Sequence, residues 1–119
     1  MRQTTLTWAQ VAELAVKALT AAERQRGAVY LDEVVRPAGT SVEIDRKAVP
    51  VRRPLAVVFV DQAPGVNWGH PCRYLLIDLQ DGRIQSVPAQ FPPFLRAVPK
   101  TLRLIWKGDT VPEWAIARP

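Results

Sequence analysis

The spacing of apolar positions divides the chain into one helical stretch and several strand-like ones. Val11, Leu14, Ala15, Ala18, Leu19 and Ala22 recur at intervals of three and four, which gives a single apolar stripe. Thr7 with Gln10 three residues later forms a capping box, and Leu6 with Val11 is placed as a hydrophobic staple. Glu13 and Lys17 are four apart in the favourable order on the wet side. Arg24 and Arg26 put positive charge near the C-terminus, and Gly27 can close the helix in the left-handed conformation. The pattern predicts one helix from Thr7 to Gly27, whose Ala-rich stripe suits close approach to a sheet.

After Gly27 the period falls to two. Ala28 to Val35 is rich in strand-forming residues, and Arg36 to Thr40 reads as a turn. Ser41 to Arg46 alternates, with Val42 and Ile44 on one face and Glu43 and Asp45 on the other. Pro50 and Pro54 bracket Val51-Arg52-Arg53, which marks an edge or a connection. Leu55 to Val60 is the most apolar run, and its β-branched content predicts a central strand covered on both faces. Arg73 to Leu79 is the next strand. Asp81-Gly82 signals a two-residue hairpin turn, with Arg83 to Val87 returning antiparallel.

Further on, Pro88, Pro92, Pro93 and Pro99 exclude a regular helix and suit an extended covering segment. Leu102 to Trp106 has strand character, and Trp114 with Ile116 is placed to pin the tail to the core. Together these elements predict an α+β fold. One N-terminal helix packs on an antiparallel sheet of about four to six strands, a normal sheet size, with a Pro-rich C-terminal covering segment. No repeat or linker divides the chain, so residues 1–119 are expected to form a single domain.

Composition adds little to this picture. Hydrophobic residues at 48% and charged ones at 23% are ordinary for a globular protein. Gln10, Glu13 and Lys17 break the only stretch that could pass for a secretion signal. No run approaches 18 apolar residues, so no membrane contact is expected. Cys72 is the only cysteine, which rules out an internal disulfide and a four-cysteine zinc site and fits a reduced, cytoplasmic protein. The formal charge of +5 raises nucleic acid as a partner. Basic residues, however, are spread over both halves of the chain, with no run of five like charges.

Candidate chemistry concentrates between Asp61 and Arg73. That segment holds the only His, the only Cys, Trp68 and two of the six Gly, at the ends of two expected core strands. His70 and Cys72 invite comparison with a thiol–imidazole pair. Pro71 between them fixes the backbone, and no second His exists to act as base. Asp61, His70 and Cys72 lack the paired spacing of zinc sites, so neither metal nor cofactor is expected. No phosphate-cradling Gly-rich loop is present.

Trp68 with Arg73 close behind it, and the rigid Gln90-Phe91-Pro92-Pro93-Phe94 segment, offer residue types that dominate protein interfaces. Tyr74, Asp78, Asp81, Gly82 and Ile84, following a helix, resemble the hairpin of small cystatin-like or PepSY-type domains. That resemblance implies a layout, a helix before an antiparallel meander, and no family membership.

The function expected from these residues is a non-catalytic protein-binding or accessory module. Its contact surface would comprise Asn67, Trp68, His70, Arg73, Phe91 and Phe94. Two alternatives stand beside it: a small basic nucleic-acid-binding protein, and a small cysteine-dependent enzyme using Cys72. The expected partner is another protein, and an open antiparallel edge leaves room for a homodimer.

Overall fold

The computed structural model describes residues 5–66, 69–94 and 97–119. Helix α1 runs from Trp8 to Lys17, and both halves of its capping box form: Gln10 N–H donates to the Thr7 hydroxyl at 3.1 Å, and the Gln10 side chain accepts from Thr7 N–H at 2.9 Å. The helix does not continue to Gly27. It stops at Ala18, and Thr20 opens a second helix, α2, Ala21–Arg26, with its own capping box to Glu23. A Thr that can satisfy free N–H groups makes a fresh start competitive with continuing a helix. The break re-aims the second half of the apolar stripe, so Ala22 is exposed and Glu23 is buried.

Gly27 is extended (φ −98°), not left-handed. Its missing side chain matters for another reason: a Cβ there would lie 2.6 Å from the Glu23 carbonyl oxygen.

Among the described residues seven strands follow: β1 (Ala28–Arg36), β2 (Ser41–Ile44), β3 (Lys47–Pro50), β4 (Leu55–Asp61), β5 (Cys72–Asp78), β6 (Ile84–Ala89) and β7 (Leu102–Lys107). Five form an antiparallel sheet in the order β6-β5-β4-β1-β7, and β2-β3 form a small separate sheet. The α+β architecture, with a helix preceding an antiparallel meander, is therefore as expected. The turn chemistry is not. The two-residue turn lies at Asp45-Arg46, where both φ angles are positive (51° and 65°) between the paired Ile44 and Lys47. At Asp81-Gly82 the loop is wider, closing on the Ile77–Ile84 pair, although Gly82 does take positive φ (74°).

Strand alternation divides the core between the two sheet faces. Val29, Leu31, Val58, Val60, Leu75 and Ile77 meet Val11, Ala15 and Leu19 on the helix side. Tyr30, Val57, Phe59, Tyr74 and Leu76 face the other way, toward Val42, Ile44 and Val51 from the small hairpin and its connection. Phe94, Val98, Val111 and Ile116 from the C-terminal third pack on that same side, so the covering segment exists. Strand β4 is covered on both faces, as its continuous apolar run requires. Ile116 pins the tail, but Trp114 does not: it is 78% exposed. Among the described residues, no helix is long and apolar enough to cross a membrane.

Candidate functional site

The ends of β4 and β5 that carry the loop 62–71 also border a concavity of about 480 Å³. Its floor is aromatic. Tyr30 and Phe59 stack with ring centroids 6.1 Å apart, and Phe59 meets Tyr74 at 5.4 Å, because register puts these three residues side by side on neighbouring strands. Phe91, Pro92 and Phe94 line one part of the wall, and Trp114 to Ala117 line another.

Two glycines of the loop make room for the wall. A Cβ on Gly69 would lie 2.8 Å from the Phe91 ring, and one on Gly65 (φ +91°) would lie 2.9 Å from the Trp114 ring. Glycine is therefore needed twice for the close approach of an aromatic ring, and at Gly65 for its backbone conformation too.

Phe91 combines a fixed backbone with an open side chain. Its N–H donates to Asp45 Oδ1 at 3.1 Å, and the Gln90 N–H donates to Asp45 Oδ2 at 2.8 Å. Its carbonyl accepts from the Tyr74 hydroxyl at 2.8 Å and from the Cys72 thiol at 3.7 Å. The Gln90 carbonyl accepts from His70 N–H at 2.9 Å. The Phe91 ring nevertheless remains 51% exposed. On the far wall, Tyr30 OH accepts from Ala117 N–H at 2.9 Å, which fixes the tail against the floor.

Among the described residues, Asp61 and His70 form a polar pair at the concavity. His70 Nε2 lies 2.8 Å from Asp61 Oδ1, and that same oxygen accepts from Ala63 N–H at 3.0 Å. The pair closes the base of the loop: Asp61 ends β4 at the register position opposite Cys72, and His70 lies two residues before Cys72. His70 thus turns to Asp61, while the Cys72 thiol points to Phe91.

Cys72 is 3% exposed, and burial, with Asp45 and Asp61 nearby, pushes its thiol up to about 12. A thiol held neutral at physiological pH is a poor nucleophile and a poor ligand. Burial also pushes the Tyr74 phenol upward, with Cys72 and Asp45 adding to the effect. Among the described residues, no three His, Cys, Asp or Glu side chains are grouped to hold a metal ion. The arrangement can supply an apolar aromatic surface and one carboxylate–imidazole pair.

The sequence-derived contact residues separate in space. His70, Phe91 and Phe94 come together around the concavity. Asn67 and Trp68 lie outside the described residues. Arg73 goes elsewhere: its guanidinium donates to both Glu23 carboxylate oxygens, at 2.7 and 2.8 Å, and to the Ala18 carbonyl at 2.9 Å. Residues alternate faces along a strand, so Arg73 projects to the helix side while Cys72 and Tyr74 project to the cleft side. Gln62 adds a hydrogen bond to the same Glu23 at 2.7 Å. Burial alone would raise the Glu23 carboxyl, but the bonds from Arg73, Thr20 and Gln62 outweigh it and hold the group at about 2. Arg73 is an internal tie between β5 and the helices.

The sequence pattern puts Asp61 in the candidate segment but not among the contact residues, and it does not bring Tyr30, Asp45 or Trp114 to this site. Strand register sets Asp61 opposite Cys72, and the C-terminal turn Glu113–Ala115 brings Trp114 to the same concavity. A second hollow of about 390 Å³ lies at the opposite strand ends, lined by Arg52, Arg53 and Arg83. Arg53 and Arg83 are there paired with Asp78 and Asp81, which offsets much of the positive charge a nucleic-acid backbone would need. No family model, no curated protein and no solved structure matches the chain, so the likeness to cystatin-like and PepSY-type domains remains one of layout.

Proposed function

We propose that this protein is a non-catalytic binding module that docks a partner protein on the aromatic cleft between Phe91 and the Trp114 segment. The observation that carries this reading is Phe91 itself, with backbone N–H and C=O both held and its ring half exposed. Holding a large apolar side chain in the open forgoes its burial. It lowers the entropy lost when a partner covers the ring. Trp114, 78% exposed on another part of the same wall, is the residue type most enriched among interface hot spots. The buried free thiol of Cys72 is compatible with a reducing compartment and supports a cytoplasmic reading of the module.

The test is capture of partners by the full chain, compared with Phe91→Ala and Trp114→Ala. Both variants are expected to keep the thermal midpoint and lose the captured partner. Retention of the same partner by the double variant would refute the assignment of the cleft. Turnover of a substrate that depends on His70 would replace it with an enzymatic reading.

A further inference from the structure

Resting on the binding reading above, one contrast bears on what enters the cleft. The protein carries a formal charge of +5, yet none of the described Lys or Arg residues lines this concavity. Its ionisable lining residues are Tyr30, Asp61 and His70, and the rest is apolar, including all three phenylalanines and Trp114. Both hydrogen bonds to the Asp61 carboxylate fall on Oδ1, and no described residue bonds Oδ2.

The three classes of occupant fare differently there. An anionic group would face a carboxylate with no described guanidinium or ammonium in the lining to receive it, and like charges in a partly desolvated site repel. A wholly apolar group would suit the rings but cover Asp61 Oδ2 without replacing its water, which costs free energy. A cation on an alkyl stem satisfies both parts. The stem packs on the exposed rings, the charge meets the carboxylate, and the aromatic faces add cation–π attraction.

We propose that the cleft receives a basic side chain of the partner protein, with its alkyl stem against Phe91 and Trp114 and its charge against Asp61. The net charge then constrains the rest of the partner. A broadly basic protein would be repelled by the +5 field, so the anchoring cation sits within a neutral or acidic surface.

The experiment uses the full chain at pH 8, above the ordinary imidazole range, with two probes of nearly equal shape. These are N-acetyl-lysine methylamide and the uncharged N-acetyl-norleucine methylamide. Binding is followed by NMR at the Phe91 and Trp114 ring signals. The expected result is saturable shifts with both probes and a preference for the lysine probe of about tenfold, the scale of a carboxylate plus cation–π contribution. Asp61→Asn should remove that preference.

Equal binding of the two probes by the natural protein would overturn the cationic assignment and leave the cleft reading standing. Shifts with neither probe would overturn the cleft reading itself. Because the probe comparison is made on the natural sequence, misfolding of the Asp61 variant does not weaken it. Selective lysine binding that survives Asp61→Asn would likewise overturn the role given to the carboxylate.

Discussion

Arg73 and Phe91 are both residue types that favour interfaces, both lie at the same end of the sheet, and the fold uses them in opposite ways. Arg73 has its charged head enclosed by Glu23 and the Ala18 carbonyl, with Ser86 at the rim. Phe91 has its backbone enclosed by Asp45, Tyr74 and Cys72, and its side chain left out. In one case the side chain is the anchor, and in the other it is what the anchors present. A residue's suitability for binding is therefore decided by which of its parts the fold has already consumed.

The comparison breaks most visibly at Arg73. Replacing it with Met leaves a Glu23 carboxylate, 3% exposed, without its cation. The expected loss is about 3–5 kcal/mol, measured by denaturant unfolding. Combining Arg73→Met with Glu23→Gln should restore a large part of that loss, because no orphaned charge then remains. Additive losses in the double variant would mean that the two side chains are not a coupled pair.

The same pair sets a pH signature. The Glu23 carboxyl sits at about 2 in the folded chain against an ordinary 4.5, so it is depressed by folding. Its contribution is fully present above about pH 4.5 and is lost as pH falls from there toward about 2. The stability gap between the natural protein and Glu23→Gln should therefore narrow through that window. A gap that stays constant from pH 5 to pH 2.5 would contradict the ion-pair account.

How far the sequence exposed this contrast follows from the kind of information each feature needs. The first capping box, the apolar β4 run and the strand alternation are local patterns, and local hydrogen bonding and burial decide them. The helix break was also written locally, in Thr20 and Glu23, but the apolar period running through Leu19 and Ala22 obscured it. Asp45-Arg46 escaped notice because neither turn residue is Gly, although Asp tolerates positive φ better than most. The partners of Arg73 and Asp61 depend on which strand face each side chain takes and on contacts 50 and 9 residues distant. Composition around the loop drew attention to the right end of the sheet. It did not distinguish a residue pointing into the cleft from its neighbour pointing away.

A smaller effect probes how the cleft is held. Asp45 lines no part of the concavity, yet it accepts the Gln90 and Phe91 N–H groups. Asp45→Ala should cost about 1–3 kcal/mol, for lost acceptors and a strained turn position. It should also weaken partner capture without altering any side chain that the partner touches. Unchanged capture would show that fixing the Phe91 backbone is irrelevant to recognition.

The smallest stability effect is expected at the exposed ring. Phe91→Ala removes a side chain that is half in solvent and rests on Gly69, so the cost should be less than about 1 kcal/mol. Its three backbone anchors remain available to Ala, because none of them involves the side chain. Binding and stability should thus separate at position 91, whereas at Arg73 a loss of binding would follow only from a loss of the fold. A thermal midpoint that falls as far for Phe91→Ala as for Arg73→Met would erase the distinction and make Phe91 another internal tie.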